Sequence, residues 1–66
     1  MSLVKVIEVI SEGDNIEHAV AAAVEEASKT VRNIKSVYVK NVQAIVQNNK
    51  VEKYRIDAKV SFVIGK

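Results

Sequence analysis

The chain contains no cysteine, no tryptophan and no proline, and only two glycines and one histidine. Without cysteine neither a disulfide nor a thiolate ligand can form, and one histidine does not make a histidine-rich metal cluster. A cysteine-free composition is typical of a cytoplasmic protein, and this is the location we predict. Two glycines and no proline leave no flexible linker, so residues 1–66 are predicted to form a single domain.

Long apolar runs and strong charge are absent as well. Hydrophobic residues make up 48% of the chain, yet no run approaches the roughly 18 residues of a membrane span. The opening MSLVKVIEVIS has neither the charged region nor the cleavage site of a signal peptide. A net charge of +2 is too small to indicate nucleic acid by itself. We therefore predict neither a membrane nor a nucleic acid as partner.

The size of the chain has its own consequence. A domain this small buries only about 60% of the surface of its unfolded chain. Domains of this kind are usually stabilised by disulfides, a metal or a partner chain. Since the first two are disfavoured, self-association is the expected source of stability.

Three segments have the pattern of β-strands. Residues 3–10, LVKVIEVI, are rich in β-branched side chains and apolar on both faces, so this strand should be covered on both sides. Residues 35–46 form a second candidate strand. In the third, residues 52–64, apolar and charged side chains alternate, which is typical of a strand with one buried face.

A helix is predicted between the first two strands. It begins at Ile16, with Asn15 as the N-cap or with Asp14 and Glu17 in a capping box, and ends near Arg32 or Asn33. Its core-facing stripe is predicted to consist of Ile16, Val20, Ala23, Val24, Ala27, Val31 and Ile34.

The segment QNNK, residues 47–50, predicts a two-residue type I′ turn, because asparagine tolerates positive φ. This turn sets Gln47 opposite Lys50 and fixes the register of the hairpin. The predicted pairs are Val37–Val60, Val39–Ala58 and Asn41–Ile56 on one face, and Ser36–Ser61, Tyr38–Lys59, Lys40–Asp57 and Val42–Arg55 on the other.

The predicted fold class is α+β, with element order β-α-β-β. The third strand is the longest and can pair with both others, so the expected sheet is antiparallel with order 1-3-2. A single helix covers only one face. The other face combines apolar and basic side chains, which indicates a subunit interface or a ligand surface.

No catalytic constellation or metal-ligand spacing is present, so we predict that the protein is not an enzyme. His18 is expected to be a solvated surface residue. Glu8, Glu52 and Asp57 could contribute to a cation site at a subunit junction, but cross-strand pairing is the favoured interpretation. Four basic side chains could attract phosphate, although solubility explains any single one as well; they are Lys40, Lys53, Arg55 and Lys59.

Three segments together resemble the dodecin family: VKVIEVIS, HAVAAAVEEASKTVRNI and KYRIDAKVSF. The resemblance runs from about Val4 to Ile64. It implies a βαββ protein that assembles into a hollow homododecameric shell and that binds and sequesters a flavin such as riboflavin or flavin mononucleotide (FMN), without being an enzyme. Some members of the family carry coenzyme A or metal ions.

The resemblance also indicates binding residues. In flavin-binding dodecins a tryptophan of the second strand stacks on the isoalloxazine ring, and a glutamine after the tyrosine of the third strand bonds its edge. These positions fall on Ser36 and Arg55, and Tyr38 lies on the same face, so these three are the predicted cofactor-binding residues. Serine has no ring to stack, and arginine has donors only. The chain is therefore similar to a tryptophan-lacking branch that includes calcium-binding and ligand-free shells.

Three hypotheses follow. The leading one is a dodecin-like homododecamer that holds a small cofactor, with a flavin as first choice. The alternative is a shell without flavin that binds calcium or other ions, or that has a purely structural or storage role. RNA binding by the basic face is third, because Tyr38 is the single aromatic residue predicted there.

Overall fold

The computed structural model describes residues 2–65. The elements are β1 (Ser2–Gly13), α1 (Ile16–Ser28), β2 (Ile34–Gln47) and β3 (Lys50–Gly65). All three strands form one antiparallel sheet with β3 in the centre, and α1 packs against one face of it. The predicted α+β fold, with order β-α-β-β and sheet order 1-3-2, is confirmed. Within residues 2–65, no helix has the length and apolar character needed to cross a membrane.

The start of α1 is the predicted one, but its end is not. Asn15 is the N-cap, since its side chain accepts a hydrogen bond of 2.8 Å from the His18 N–H. The helix ends at Ser28, about one turn before the predicted Arg32. The Ala27 carbonyl accepts hydrogen bonds from both Thr30 and Val31, which tightens the last turn before the chain leaves the helix.

The buried face of α1 is rotated relative to the predicted stripe. Ala23 and Ala27 are buried as predicted, but the third buried residue is Ala19, and the predicted Ile16 is 44% exposed. Alanines four residues apart form a flat ridge, and their small side chains let the helix approach the sheet closely. Gly13 has the same role on β1, because a Cβ there would lie 2.5 Å from the Ala19 nitrogen.

The hydrophobic core is small and one-sided. From β3 it takes alternate residues Ile56, Ala58, Val60 and Phe62, all buried beneath α1. Ile56 and Val60 are the only large side chains among residues 2–65 that are fully buried. A core of this size leaves much apolar surface without cover.

The hairpin turn is confirmed. Asn48 and Asn49 have φ values of 54° and 63°, which is the backbone of a type I′ turn. The register agrees with the prediction at Gln47–Lys50, next to the turn, and again from Val39–Ala58 to Ser36–Ser61.

Between these two regions the register is shifted by one residue. The observed pairs there are Ala44–Tyr54, Gln43–Arg55, Val42–Ile56 and Asn41–Asp57, so the predicted pairs Asn41–Ile56, Lys40–Asp57 and Val42–Arg55 are wrong. An extra residue on β3, Glu52, is offset by an extra residue on β2, Lys40. These two bulges compensate each other, so the pairs on either side of them keep the predicted register while the faces of β2 are exchanged between them. A third shift follows between Ser36 and Ile34, which pairs with Phe62.

The molecule is elongated. It measures 51 × 19 × 14 Å, and its radius of gyration is 13.6 Å, against about 11 Å for a compact chain of this length. Large apolar side chains are exposed on both faces of the sheet and at the start of the helix; they are Leu3, Val4, Val6, Ile10, Ile16, Tyr38, Val42, Val46, Val51 and Ile64. This much exposed apolar surface indicates a surface that associates with other molecules.

Candidate functional site in the outer face of the sheet

The outer face is the side of the sheet that α1 does not cover. Its orientation follows from two contacts on the covered side: Ile56 is buried, and the Ser11 hydroxyl donates to the Ala19 carbonyl of the helix at 2.6 Å. Side chains alternate between the two faces along each strand, so the observed register identifies the residues of the outer face. They are Val4, Val6, Glu8, Ile10 and Glu12 of β1, Ser36, Tyr38, Asn41, Gln43 and Ile45 of β2, and Lys53, Arg55, Asp57, Lys59, Ser61 and Val63 of β3.

A cleft of about 270 Å³ opens in this face where β2 is out of the predicted register; we call it the outer cleft. It combines amide, carboxyl, guanidinium and aliphatic groups, a mixture typical of small-molecule sites. Its lining residues are Ile10, Asn41, Val42, Gln43, Arg55, Ile56 and Asp57.

One wall of the outer cleft belongs to an ionic network centred on Glu12. The Arg55 Nε and Nη2 atoms both lie 2.7 Å from Glu12 Oε2, and Lys53 Nζ lies 2.8 Å from Oε1. The hydrogen bond from Lys53, followed by the one from Arg55, lowers the pKa of Glu12 below its ordinary value. Both oxygens of Glu12 are therefore bound to cations, and Arg55 is held in one orientation.

A second cluster joins Glu8, Lys40 and Asp57. Lys40 Nζ lies 3.2 Å from Glu8 Oε2, so the bulged lysine of β2 reaches across β3 to β1 rather than pairing with Asp57 as predicted. The neighbouring Glu8 carboxylate, followed by burial, raises the pKa of Asp57, whereas interaction with Asp57 and then with Lys40 lowers the pKa of Glu8. The Asp57 Oδ1 atom is buried and has no hydrogen-bond partner among residues 2–65. This arrangement favours a proton on Asp57 that is donated to the Glu8 carboxylate.

The predicted cofactor residues lie in two separate places on the outer face. Arg55 lines the outer cleft. Tyr38 is 65% exposed opposite Lys59, and the Ser36 hydroxyl bonds to that of Ser61, six positions further along β3 than Arg55. Six strand residues span about 20 Å. One chain therefore does not bring Ser36 and Arg55 together, as expected from their spacing, and their binding role stays a prediction.

The three carboxylates considered for a cation site are not assembled either. Glu8 and Asp57 are neighbours, but Glu52 lies at the bulge beside the hairpin turn. Across the part of the chain that the structure describes, no group of three His, Cys, Asp or Glu side chains is placed to hold a metal ion.

Asn41, Gln43 and Ile10 line the outer cleft and were not predicted. The simple hairpin register directed Asn41 and Gln43 to the helix side and placed Val42 beside Arg55. A signal was available, because Lys40 and Asn41 are adjacent polar residues in the middle of an otherwise alternating strand. Two consecutive polar residues break the two-residue alternation of a strand, and one inserted residue places both segments back on their proper faces.

The fold and the outer face define a small α+β protein with one face of its sheet covered by a helix and the other open. The dodecin family model matches residues 3–65. The chain therefore belongs to the dodecin family, and it is a member without tryptophan.

Solved structures agree with this fold. The tt0972 protein from Thermus thermophilus superposes with a TM-score of 0.91 at 24% identity, over 100% of this chain and 98% of that one. An arginine-to-alanine mutant of T. thermophilus dodecin gives 0.90 at 24% identity, over the whole of both chains. Dodecin from Streptomyces davaonensis gives 0.89 at 17% identity, over 98% of this chain and 97% of that one. A comparison with curated protein sequences gave no significant match.

Proposed function

We propose that this chain forms a homododecameric shell in the cytoplasm that binds and sequesters a small cofactor, with a flavin such as riboflavin or FMN as the leading candidate. Membership of the dodecin family supports the assembly and a binding rather than catalytic role. The elongated monomer with its exposed apolar side chains supports association in a way that does not depend on the family.

The observation that carries the binding proposal is the outer cleft, which lies in an open sheet face and holds Arg55. Along the strands of the same chain, Ser36 lies about 20 Å and Tyr38 about 13 Å from Arg55. In the proposed site they come from a neighbouring subunit, so that the ligand bridges two copies of the outer face. Such a site forms only in the assembly.

Fluorescence titration tests the flavin proposal. Riboflavin or FMN added to micromolar protein should lose its fluorescence as it binds. Ser36→Trp should bind more tightly, by roughly twofold to tenfold, because a stacked aromatic contact adds about 0.5–1.5 kcal/mol beyond burial.

The matched control is Ser28→Trp, which adds the same ring at the exposed end of α1 and should behave like the parent protein. Absence of both quenching and binding heat in parent and S36W protein would reject the flavin proposal. Binding that S36W leaves unchanged would reject the assignment of Ser36 to the site.

A specific observation supports the second candidate function, a shell that binds calcium or another ion. Glu8 and Asp57 are adjacent, and the buried Asp57 Oδ1 has no partner among the described residues. Carboxylate oxygens from several subunits are suitable ligands for calcium. Calcium should then raise the melting temperature of the parent protein but not of Asp57→Asn, while Asp14→Asn, an exposed control, keeps the response. Stabilisation by flavin and not by calcium would reject this candidate.

A further inference from the structure

We propose that the outer cleft recognises the amide or imide edge of a heteroaromatic ring through the carboxamides of Gln43 and Asn41, rather than a phosphate through Arg55. The inference rests on the proposed function and makes it specific: it names the part of the ligand that is bound and the side chains that bind it.

Arg55 is poorly placed to select an anion. Two of its nitrogens are directed at one oxygen of Glu12, at 2.7 Å each, and Lys53 occupies the other oxygen. A phosphate bound to Arg55 would also approach the Glu12 carboxylate that the guanidinium already contacts. The repulsion between these two negative charges opposes anion binding. The arginine is therefore a fixed wall of the cleft and not a free anion clamp.

Gln43 is positioned as the residue that selects the ligand. It is the cross-strand partner of Arg55 on the outer face, it is exposed, and it lines the cleft. Asn41, two residues along the same face, is paired with Asp57. Each carboxamide presents a donor and an acceptor in one plane, and a cyclic amide or imide presents N–H and C=O side by side. The two groups are complementary, whereas a guanidinium offers donors only.

The volume and the lining of the cleft are suited to binding one edge of a ring system. Its volume of about 270 Å³ is slightly below the roughly 300–1,000 Å³ of pockets that enclose a drug-sized ligand. It can therefore hold one end of a fused ring system but not the whole molecule. Ile10, which is 67% exposed on the outer face, provides apolar surface for a flat ring. The rest of the ligand is left to the neighbouring subunit.

Calorimetric titration of the assembled protein with riboflavin, FMN and lumichrome tests the inference. Lumichrome has the ring edge without a ribityl chain or phosphate, so all three should bind, and the dissociation constants of riboflavin and FMN should agree within about threefold. Gln43→Leu removes a hydrogen-bonding pair at the ring and should weaken each ligand by about tenfold. Gln43→Glu, which keeps the shape but loses the donor, should weaken them too.

Gln47→Leu is the matched control, because Gln47 is exposed beside the hairpin turn on the same strand and does not line the cleft. It should bind all three ligands like the parent protein, and circular dichroism and light scattering should show that every variant keeps its fold and mass.

The outcomes separate the two proposals. Failure of all three rings to bind the parent protein overturns the flavin proposal and this inference together. Binding that is equally strong in the Gln43 variants and the Gln47 control overturns the inference alone. An FMN affinity more than about tenfold above that of riboflavin, lost at high salt, also overturns it, since this is the behaviour of a phosphate held by exposed cations.

Discussion

Arg55 and Glu12 are direct cross-strand partners on β3 and β1, and both Nε and Nη2 of the arginine lie 2.7 Å from the same oxygen of the glutamate. With Lys53 on the other oxygen, this network ties the edge strand β1 to the central strand. The geometry has consequences for stability as a function of pH.

Glu12→Gln should have a lower melting temperature than the parent protein near neutral pH. This gap in melting temperature should disappear at acidic pH. The pKa of Glu12 is lowered from 4.5 in the folded state, chiefly by the hydrogen bond from Lys53. A carboxyl group whose pKa is lower in the folded state than in the unfolded chain stabilises the fold at pH values above the unfolded-state pKa. This stabilisation is lost as the pH falls through the folded-state pKa. Melting curves from pH 7 to pH 2.5 measure the gap. Glu25→Gln, at an exposed helix position, should show no such gap; a gap that widens in acid would contradict the assignment.

Asp57→Asn should show the opposite pH dependence. The pKa of Asp57 is raised from 3.8 by the hydrogen bond with Glu8 and by burial. A raised pKa means that the protonated form stabilises the fold at low pH, and that this stabilisation is lost as pH rises through the folded value. The asparagine retains a donor toward Glu8 and does not titrate, so the variant should gain stability relative to the parent as pH rises above about 4. A relative loss over that interval would show that Asp57 is not the protonated partner.

Gly13→Ala should destabilise the protein by about 1–3 kcal/mol, as overpacking does in a tight core. The new Cβ would lie 2.5 Å from the Ala19 nitrogen and 2.8 Å from the His18 carbonyl carbon, and neither backbone atom can move independently of the helix. Denaturant unfolding at fixed protein concentration measures the change. Lys5→Ala, at an exposed position on the same strand, should cost much less. Equal effects of the two substitutions would argue against close packing of α1 on β1.

Val6→Lys should weaken assembly. Val6 is 54% exposed on the outer face opposite Ser61, and a lysine there would place charge in the proposed interface. Light scattering should give a mass many times 7.3 kDa for the parent protein and a much smaller species for the variant. Glu17→Lys, on the exposed side of α1, should assemble like the parent. A parent protein that runs as a monomer would contradict the proposed shell.

Several features were predictable because they depend on neighbours in sequence. Asn15 caps the helix through a bond to His18, three residues away, and Asn48–Asn49 form the turn through their own backbone preferences. The strand order also followed, since β3 is the longest strand and alternates most regularly.

Other features depended on contacts that no local pattern specifies. The predicted stripe shared Ala23 and Ala27 with the buried ridge but included Ile16 and not Ala19, which is buried because its small side chain permits a closer approach to the sheet. The end of the helix was predicted too late, because Val31 and Ile34 continue its apolar period although they lie beyond its last turn. One ion pair also differs from the prediction, since Lys40 pairs with Glu8 of β1 and not with Asp57 of β3.

The sequence by itself determined the order and kind of the elements, the cap, the turn and the existence of a mixed charged face, because local backbone preferences and hydrophobic alternation act over a few residues. Only the tertiary structure decided which side chains stand beside Arg55. Two compensating bulges shift β2 by one residue between the hairpin ends, and a shift of one residue exchanges the faces of a strand. Gln43 thereby takes the place opposite Arg55 that the simple register gave to Val42, and the polar character of the candidate site follows from that exchange.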